Sequence, residues 1–322
     1  MIAFGPVPSR RLGRSLGINN IPFKHCSYNC VYCQLGETRY QHLETADYYS
    51  PKRIFQSVQE KLQRLFEKNE KIDYLTFVAD GEPTLDKNLG ETINLLRDLK
   101  LKIAVITNGS LLRNEQVRKF LSVCDLVSLK IDGGFSTIWK QVNQPVNELT
   151  WEEFTFGLKS FAKNFSGQII TESMLVKGLN DSEDNLETIA HFIGELKVTT
   201  AYISAPIRPP VKKWVTSPEE NVFLKAYQIY SKNDKIPKVE LLINYEGNEF
   251  SIGEKFEEDF LSIISVHPMR EDAVDNFLKK AHLDWELIHN LLLDKKIKRL
   301  SYQNYHYFMR KNSNTEELEA SL

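Results

Sequence analysis

Three of the chain's four cysteines, Cys26, Cys30 and Cys33, fall within eight consecutive positions. Residues 21–33 read I-P-F-K-H-C-S-Y-N-C-V-Y-C, a C-x3-C-x2-C spacing with aromatic Tyr32 ahead of the last thiol. Three thiolates on one short loop can hold three irons of a cubane cluster and leave the fourth iron without a protein ligand. An open metal position is where substrate or cofactor binds at catalytic metal centres. The competing use of the same thiols is a structural zinc site. That needs four ligands and would have to recruit His25 or Cys124. A disulfide framework does not suit 322 residues carrying four cysteines.

Further polar groups lie downstream. Residues 79–85 read A-D-G-E-P-T-L. There Gly81 allows close backbone approach, and Glu82 offers a charge-assisted acceptor for an ammonium. Residues 107–110 are T-N-G-S, in which Asn108 can cap a helix or bond a ligand. In the run S-L-K-I-D, alternation puts Ser128, Lys130 and Asp132 on one face of a strand, where three polar groups need partners. Glu172 can face the same pocket or pair with Lys130, and Val176 to Gly178 follow at the end of its strand. Upstream, Arg10, Arg11 and Arg14 read either as a solvated basic turn or as an anion clamp. Arg208, between prolines, sits on a stiff loop that is substrate-side or plain surface. Cys124 reads as a buried structural thiol.

The elements that would position these groups alternate. Strands are expected over residues 15–21, 72–79, 102–107, 125–131, 168–176, 199–205 and 239–244. Helices are expected from Pro51 onward, then over 89–99, 115–121, 151–165, 182–196 and 218–230. Near-continuous apolar strands alternating with amphipathic helices predict a parallel sheet. A doubly wound sheet and a barrel both fit this pattern. The segments carrying Glu82, Asn108, Lys130 with Asp132, and Val176 with Gly178 fall at or near the C-terminal ends of strands, where parallel α/β folds do chemistry. Residues 246–265 read as a linker. Beyond it, helices are expected over 270–281 and 284–294, with a hairpin over 298–301 and 305–310. Two helices and a hairpin over 266–311 suggest a small winged-helix-like domain, whose basic residues (Lys295, Lys296, Lys298, Arg299, Arg310, Lys311) could touch phosphates. Docking or dimerisation is the competing use. Residues 312–322 read as a polar, disordered tail.

The whole chain adds bounds. Its length suits a large domain of residues 1–245 with a smaller one behind it. Lys and Arg total 41 against 43 Asp and Glu, a net charge of −2, so global charge gives no hint of nucleic acid. No apolar run reaches membrane-spanning length, and the first residues lack an apolar signal core. A cytoplasmic, reducing location without membrane contact is expected.

The cysteine spacing with its preceding aromatic resembles the signature of the radical S-adenosylmethionine (SAM) superfamily, over about the first 245 residues. The resemblance implies an α/β fold, a partial (β/α)6 barrel. It implies a [4Fe-4S] cluster on Cys26, Cys30 and Cys33, fed by an external one-electron donor, that cleaves SAM to a 5′-deoxyadenosyl radical. That radical takes hydrogen from a substrate: protein, peptide or small molecule. The resemblance also implies SAM contacts. Tyr32 belongs to the cluster loop. Gly81 and Glu82 match the Gly-Gly-Glu segment that binds the methionine amino group, with Asp80 in place of the first glycine. Asn108 would bond the ribose or methionine part. Ser128, Lys130 and Asp132 lie where ribose and carboxylate are held, and Val176 and Gly178 where backbone meets adenine. The opening P-S-R-R-L-G-R-S-L-G-I-N-N-I-P and the segment C-S-Y-N-C-V-Y-C-Q-L-G are similar to a group related to wyosine tRNA synthesis. This makes a tRNA-modifying enzyme the alternative substrate reading. The flavodoxin-like domain of eukaryotic wyosine enzymes and a second cysteine set are both absent. A zinc-stabilised nucleic-acid-binding protein is the alternative of another class.

Overall fold

The computed structural model describes residues 2–244, 250 and 256–311. An edge hairpin comes first: β1 (Ala3–Ser9) runs antiparallel to β2 (Gly13–Ile18), with Ser9 opposite Gly13. β3 (His25–Cys26) and β4 (Tyr40–Gln41) then pair in parallel and pin together the ends of the cysteine loop. Strand–helix alternation follows: α1 (Pro51–Glu67), β5 (Tyr74–Phe77), α2 (Leu89–Arg97), β6 (Lys102–Thr107), α3 (Glu115–Leu121), β7 (Leu126–Lys130), α4 (Ser136–Asn143), α5 (Trp151–Asn164), β8 (Gln168–Met174), α6 (Glu183–Gly194), β9 (Thr200–Ser204), α7 (Glu220–Ser231) and β10 (Val239–Leu242). The main sheet has the order β1-β2-β5-β6-β7-β8-β9-β10, and every pairing from β2 to β10 is parallel.

Successive strands lie side by side, as expected when each crossover returns to the next position. The strand residues divide by parity. Leu75, Phe77, Val105, Val127, Leu129 and Ile203 join a core with Ile54, Ile93 and Ile189 of the helices. Tyr74, Ala104, Ile106, Leu126, Ile170 and Tyr202 form a smaller cluster on the other face. A sheet with helices on one face and a small apolar cluster on the other is a curled half barrel. Local chemistry sets the helix starts. The Ser50 hydroxyl accepts from Arg53 N with Pro51 at the first helical position. At α5, Thr150 and Glu153 close a capping box.

The rest of the described chain comprises α8 (Phe256–Val266), β11 (Met269–Arg270), α9 (Glu271–Lys280), α10 (Glu286–Leu293), β12 (Ile297–Tyr302) and β13 (Tyr305–Arg310). Its strands form an antiparallel sheet ordered β11-β13-β12. Phe260, Ile263, Val274, Phe277, Ile288 and Phe308 give it a separate core, on which Val7 of β1 packs. Gln303 and Asn304 both take positive φ, the requirement of a two-residue type I′ hairpin.

Two expectations need correction, and one element is new. Arg10, Arg11 and Arg14 do not share one solvated turn: Arg10 and Arg11 stand in the turn of the β1–β2 hairpin, and Arg14 lies on β2. Pro6 and Pro8 are tolerated in β1 because it is the sheet's edge. α4 is an added element between the expected strand over 125–131 and the expected helix over 151–165. Residues 256–265, expected as linker, form nearly all of α8. The remainder of that linker, apart from Phe250, lies outside the described residues, as do 312–322. At the hairpin, Lys296 pairs with Glu257 and Asp294, and Arg299 with Glu271, so these two cations already have carboxylate partners.

Candidate active site at the cysteine loop

The cysteine loop starts where β2 delivers the chain and is held by its own backbone. Lys24 N donates to Asp80 O (2.8 Å) and Glu82 N to His25 O (3.0 Å). Asn29 N donates to Asn143 O (3.1 Å) and Val31 N to Val142 O (3.0 Å), so the loop caps carbonyls at the end of α4. Tyr28 is its apolar anchor. It is buried, edge-on to Trp139 and Phe154, and its hydroxyl accepts from Trp139 Nε1 at 3.1 Å. On the outer side the His25 ring stacks on Tyr40 and meets His42 and Tyr48.

All three loop thiols are free and half-buried, and each accepts from nitrogen donors. Cys26 Sγ accepts from Tyr28 N (3.5 Å), with Asn108 Nδ2 at 3.7 Å. Cys30 Sγ accepts from Asn143 Nδ2 (3.4 Å), and Cys33 Sγ from Lys24 Nζ (3.3 Å). Burial pushes the Cys26 thiol up, and Glu82 and Cys30 add to this; burial likewise takes Cys30 up to about 12. Such thiols ionise when a metal's charge compensates. Among the described residues no three His, Cys, Asp or Glu side chains are grouped to share one metal ion. His25 is engaged in its aromatic cluster. Cys124 lies just before β7, at the opposite end of the strands from the loop. The four converging ligands of a zinc site are therefore not assembled there. A cubane takes one thiolate per iron and needs no such convergence.

The expected SAM residues gather around this loop, mostly with partners of their own. Glu82 is buried. Its Oε1 accepts from Thr84 N (3.1 Å), Thr84 Oγ1 (2.5 Å) and Thr107 Oγ1 (2.6 Å), and Oε2 from Asn108 N (2.8 Å). Burial raises its pKa, and those donors pull it back. Glu82 thus ties the ends of β5 and β6 together, and one Oε2 lone pair remains open. Gly81 approaches the loop: a Cβ there would sit 1.8 Å from His25 O. Asn108 caps nothing but local turns, accepting from Ser110 N (2.9 Å) while Nδ2 donates to Ser27 Oγ (2.9 Å). Asp80 accepts from Asn19 Nδ2 (2.7 Å) on Oδ2, while its buried Oδ1 has no partner.

On β7, Ser128 is buried and Lys130 continues its face. Lys130 Nζ lies 3.2 Å from Glu172, 3.8 Å from Asp132 and 5.0 Å from the Tyr32 ring centroid. Buried Asp132 accepts from the Tyr32 hydroxyl, from Asn143 Nδ2 (2.7 Å) and from Met174 N (2.7 Å). Asp132 therefore positions Tyr32 and Asn143 beside Cys30. Burial alone would raise the Glu172 pKa, but Arg11, Lys130 and Ser204 reverse that and hold it at about 2. Val176 is buried against Val31, Val215 and Tyr32. Its amide donates to Asn180 Oδ1 (2.7 Å), and its carbonyl accepts from Leu179 N (3.1 Å). Exposed Gly178 takes φ +70° with open space where a Cβ would sit.

The three arginines of the opening separate. Arg10 donates to Asn244 O (2.8 Å), Arg14 pairs with Glu70, and Arg11 alone turns inward, to Glu172. Sequence reasoning missed Lys24 and Asn143. Lys24 was findable, being two positions ahead of the first cysteine. Asn143 had no signal, since it meets Cys30 across 113 positions.

Comparisons with known proteins come from both sequence and structure. Residues 20–193 match the family model described as the Radical SAM superfamily. A UPF0026 protein of Methanocaldococcus jannaschii is 44% identical over 309 residues, covering 96% of each chain. Among solved structures, a radical SAM methyltransferase from Sphaerobacter thermophilus aligns with a TM-score of 0.54 at 16% identity, covering 70% of this chain and 66% of that one. TYW1 with a lysine-pyruvate adduct bound aligns with a TM-score of 0.52 at 15% identity, covering 68% of this chain and 74% of that one. At such identities these two likenesses show the fold alone.

Proposed function

The chain belongs to the radical SAM superfamily, whose members are enzymes, and from that premise we propose that it cleaves SAM reductively at a [4Fe-4S] cluster held by Cys26, Cys30 and Cys33. Family membership implies an iron–sulfur cluster and SAM; the cluster type and these ligands are our assignment. When bound, the pair would supply a 5′-deoxyadenosyl radical that takes hydrogen from a substrate. The observation that carries the reading is the donor set: three thiols on one loop at the strand ends, each facing nitrogen donors suited to an anionic cluster.

The chain's own residues bind and orient. The open lone pair of Glu82 Oε2 is offered to the methionine ammonium, while its other bonds fix Asn108. Asp132 holds Tyr32 and Asn143 in place, and Lys130 lies over the Tyr32 ring. Ser128 continues that polar face, and Val176 packs the loop from below. Gly178 leaves room for a ligand to approach the backbone. Electrons come from an external one-electron donor.

Anaerobic reconstitution should give about four irons and four sulfides per chain. With dithionite the protein should convert SAM to 5′-deoxyadenosine and methionine. Cys26→Ala, Cys30→Ala and Cys33→Ala should lose both; Cys124→Ala should lose neither. A zinc-only preparation, or cluster loss in Cys124→Ala, would sink the assignment. The substrate is a protein, peptide or small molecule. The tRNA reading would be favoured by co-purifying RNA, and the paired hairpin cations Lys296 and Arg299 lend it no support.

A further inference from the structure

Inside the half barrel, where β1 and the C-terminal elements close its open side, lies a cavity of about 130 Å³. Its floor carries Val78 and Ile106, and Arg11, Gln34, Arg208 and His267 project into its wall. A cavity of about 150 Å³ accommodates a molecule the size of benzene, so this one takes a group of about six heavy atoms. It adjoins the cysteine loop, because Gln34 follows Cys33 directly.

The wall is rich in donors. Arginine has five N–H donors and no acceptor. Arg11 spends Nη1 on Glu172, and its other guanidinium nitrogens have no hydrogen-bond partner among the described residues. Glu172 is served by Lys130 and Ser204 as well as by Arg11. Arg208 donates to Gln34 Oε1 (3.2 Å) and to His267 Nε2 (2.9 Å), which holds its guanidinium against the cavity. His267 and Val266 come from the end of α8, and Gln34 Nε2 donates to Val266 O (2.9 Å). The C-terminal elements therefore complete this wall. The spare donors of Arg11 call for acceptor oxygens on one end of a ligand, and a planar fork is matched by a carboxylate or phosphate.

We propose that this cavity is the substrate subsite of the enzyme and binds the carboxylate or phosphate end of a small substrate between Arg11 and Arg208, with the C-terminal elements closing its wall. The proposal rests on the radical SAM reading above. It assigns the C-terminal elements a part in substrate recognition.

The test uses the full-length, cluster-loaded protein. Propionate, methyl phosphate and the neutral propionamide are titrated and followed by saturation-transfer NMR and thermal melting. Saturable binding of propionate or methyl phosphate, with propionamide at least tenfold weaker, is expected; the tighter anion identifies the class. Arg11→Gln and Arg208→Gln should each weaken the anion at least tenfold, and Arg11→Lys should restore part of the loss. Arg208→Gln leaves the Glu172 contacts intact, so it reads recognition even if Arg11→Gln melts early. Anions that bind no better than propionamide, or unchanged affinity in Arg208→Gln, would overturn the proposal. Formation of 5′-deoxyadenosine is measured on the same preparation. Its absence counts against the radical SAM reading, whereas SAM cleavage without anion binding counts against the subsite alone.

Discussion

Hydrogen bonds to ligand sulfurs stabilise the more negative, reduced state of a cluster and so raise its potential. Lys24 is the strongest such donor because it brings a full charge to Cys33. Its backbone takes φ 61°, a costly conformation for a side-chain-bearing residue, held by the bonds of its N–H to Asp80 and its carbonyl to Arg39 and Tyr40. Lys24→Met should lower the cluster's midpoint potential by on the order of tens of mV, and Asn143→Ala by less. An EPR-monitored redox titration giving equal potentials would contradict this. Asp80 offers a pH test. Burial raises its pKa to about 6, against the pull of Asn19. The folded protein then holds this proton more tightly than the unfolded chain does. The contribution to stability is full below the ordinary carboxylate range and is lost as pH rises through about 6. Asp80→Asn escapes that loss and should stabilise by about 2–3 kcal/mol at pH 8, and by roughly half that at pH 5. Denaturant melts at the two pH values check it; an equal effect at both would remove the electrostatic explanation.

The loop works because elements distant in sequence present it. α4 ends under the loop and offers its last carbonyls, while Asn143 reaches Cys30. The Ala79-to-Leu85 segment closes from the other side, and Gly81 is the point of closest approach. Gly81→Ala would force its Cβ onto His25 O and should cost about 1–3 kcal/mol, the usual range for overpacking. Iron content should fall with it. A variant that melts and loads iron like the parent would show that the loop simply yields. Regular repetition made much of this frame readable. β6 and α3 have the bounds that apolar periodicity gives, because each is a clean period bounded by turn residues. β1 was hidden by Pro6 and Pro8, which an edge strand tolerates. α4 lacks that punctuation: Phe135 stands at its N-cap and offers no side-chain cap, whereas Asn114 caps α3. The cysteines were legible because their chemistry is local. Asn143 and the inward turn of Arg11 were not, because tertiary packing creates them.

The C-terminal elements are joined to the half barrel by specific polar contacts as well as by packing. The Tyr302 and Tyr307 hydroxyls donate to the carbonyls of Pro206 (2.6 Å) and Ile207 (2.8 Å), in the loop that carries Arg208. Lys61 of α1 and Asp259 of α8 form an ion pair whose side chains are only 8% and 10% exposed. A buried pair adds little net stability over an apolar one, because desolvation offsets the attraction. Breaking it is another matter, since one charge stays buried without that partner. Asp259→Ala should therefore destabilise the protein by about 3–5 kcal/mol, whereas Lys61→Met with Asp259→Leu should recover most of the loss. Because α8 also carries Val266 and His267 to the cavity, loosening it should disturb the Arg208 loop before it disturbs the cysteine loop, whose supports lie in β5, β6 and α4. The single variant should thus keep its iron at temperatures where amide hydrogen exchange at Ile207 and Arg208 has become fast. Simultaneous loss of both would mean that the two parts unfold as one cooperative unit. Unchanged stability would mean that water reaches Lys61 freely and the pair is not buried in solution.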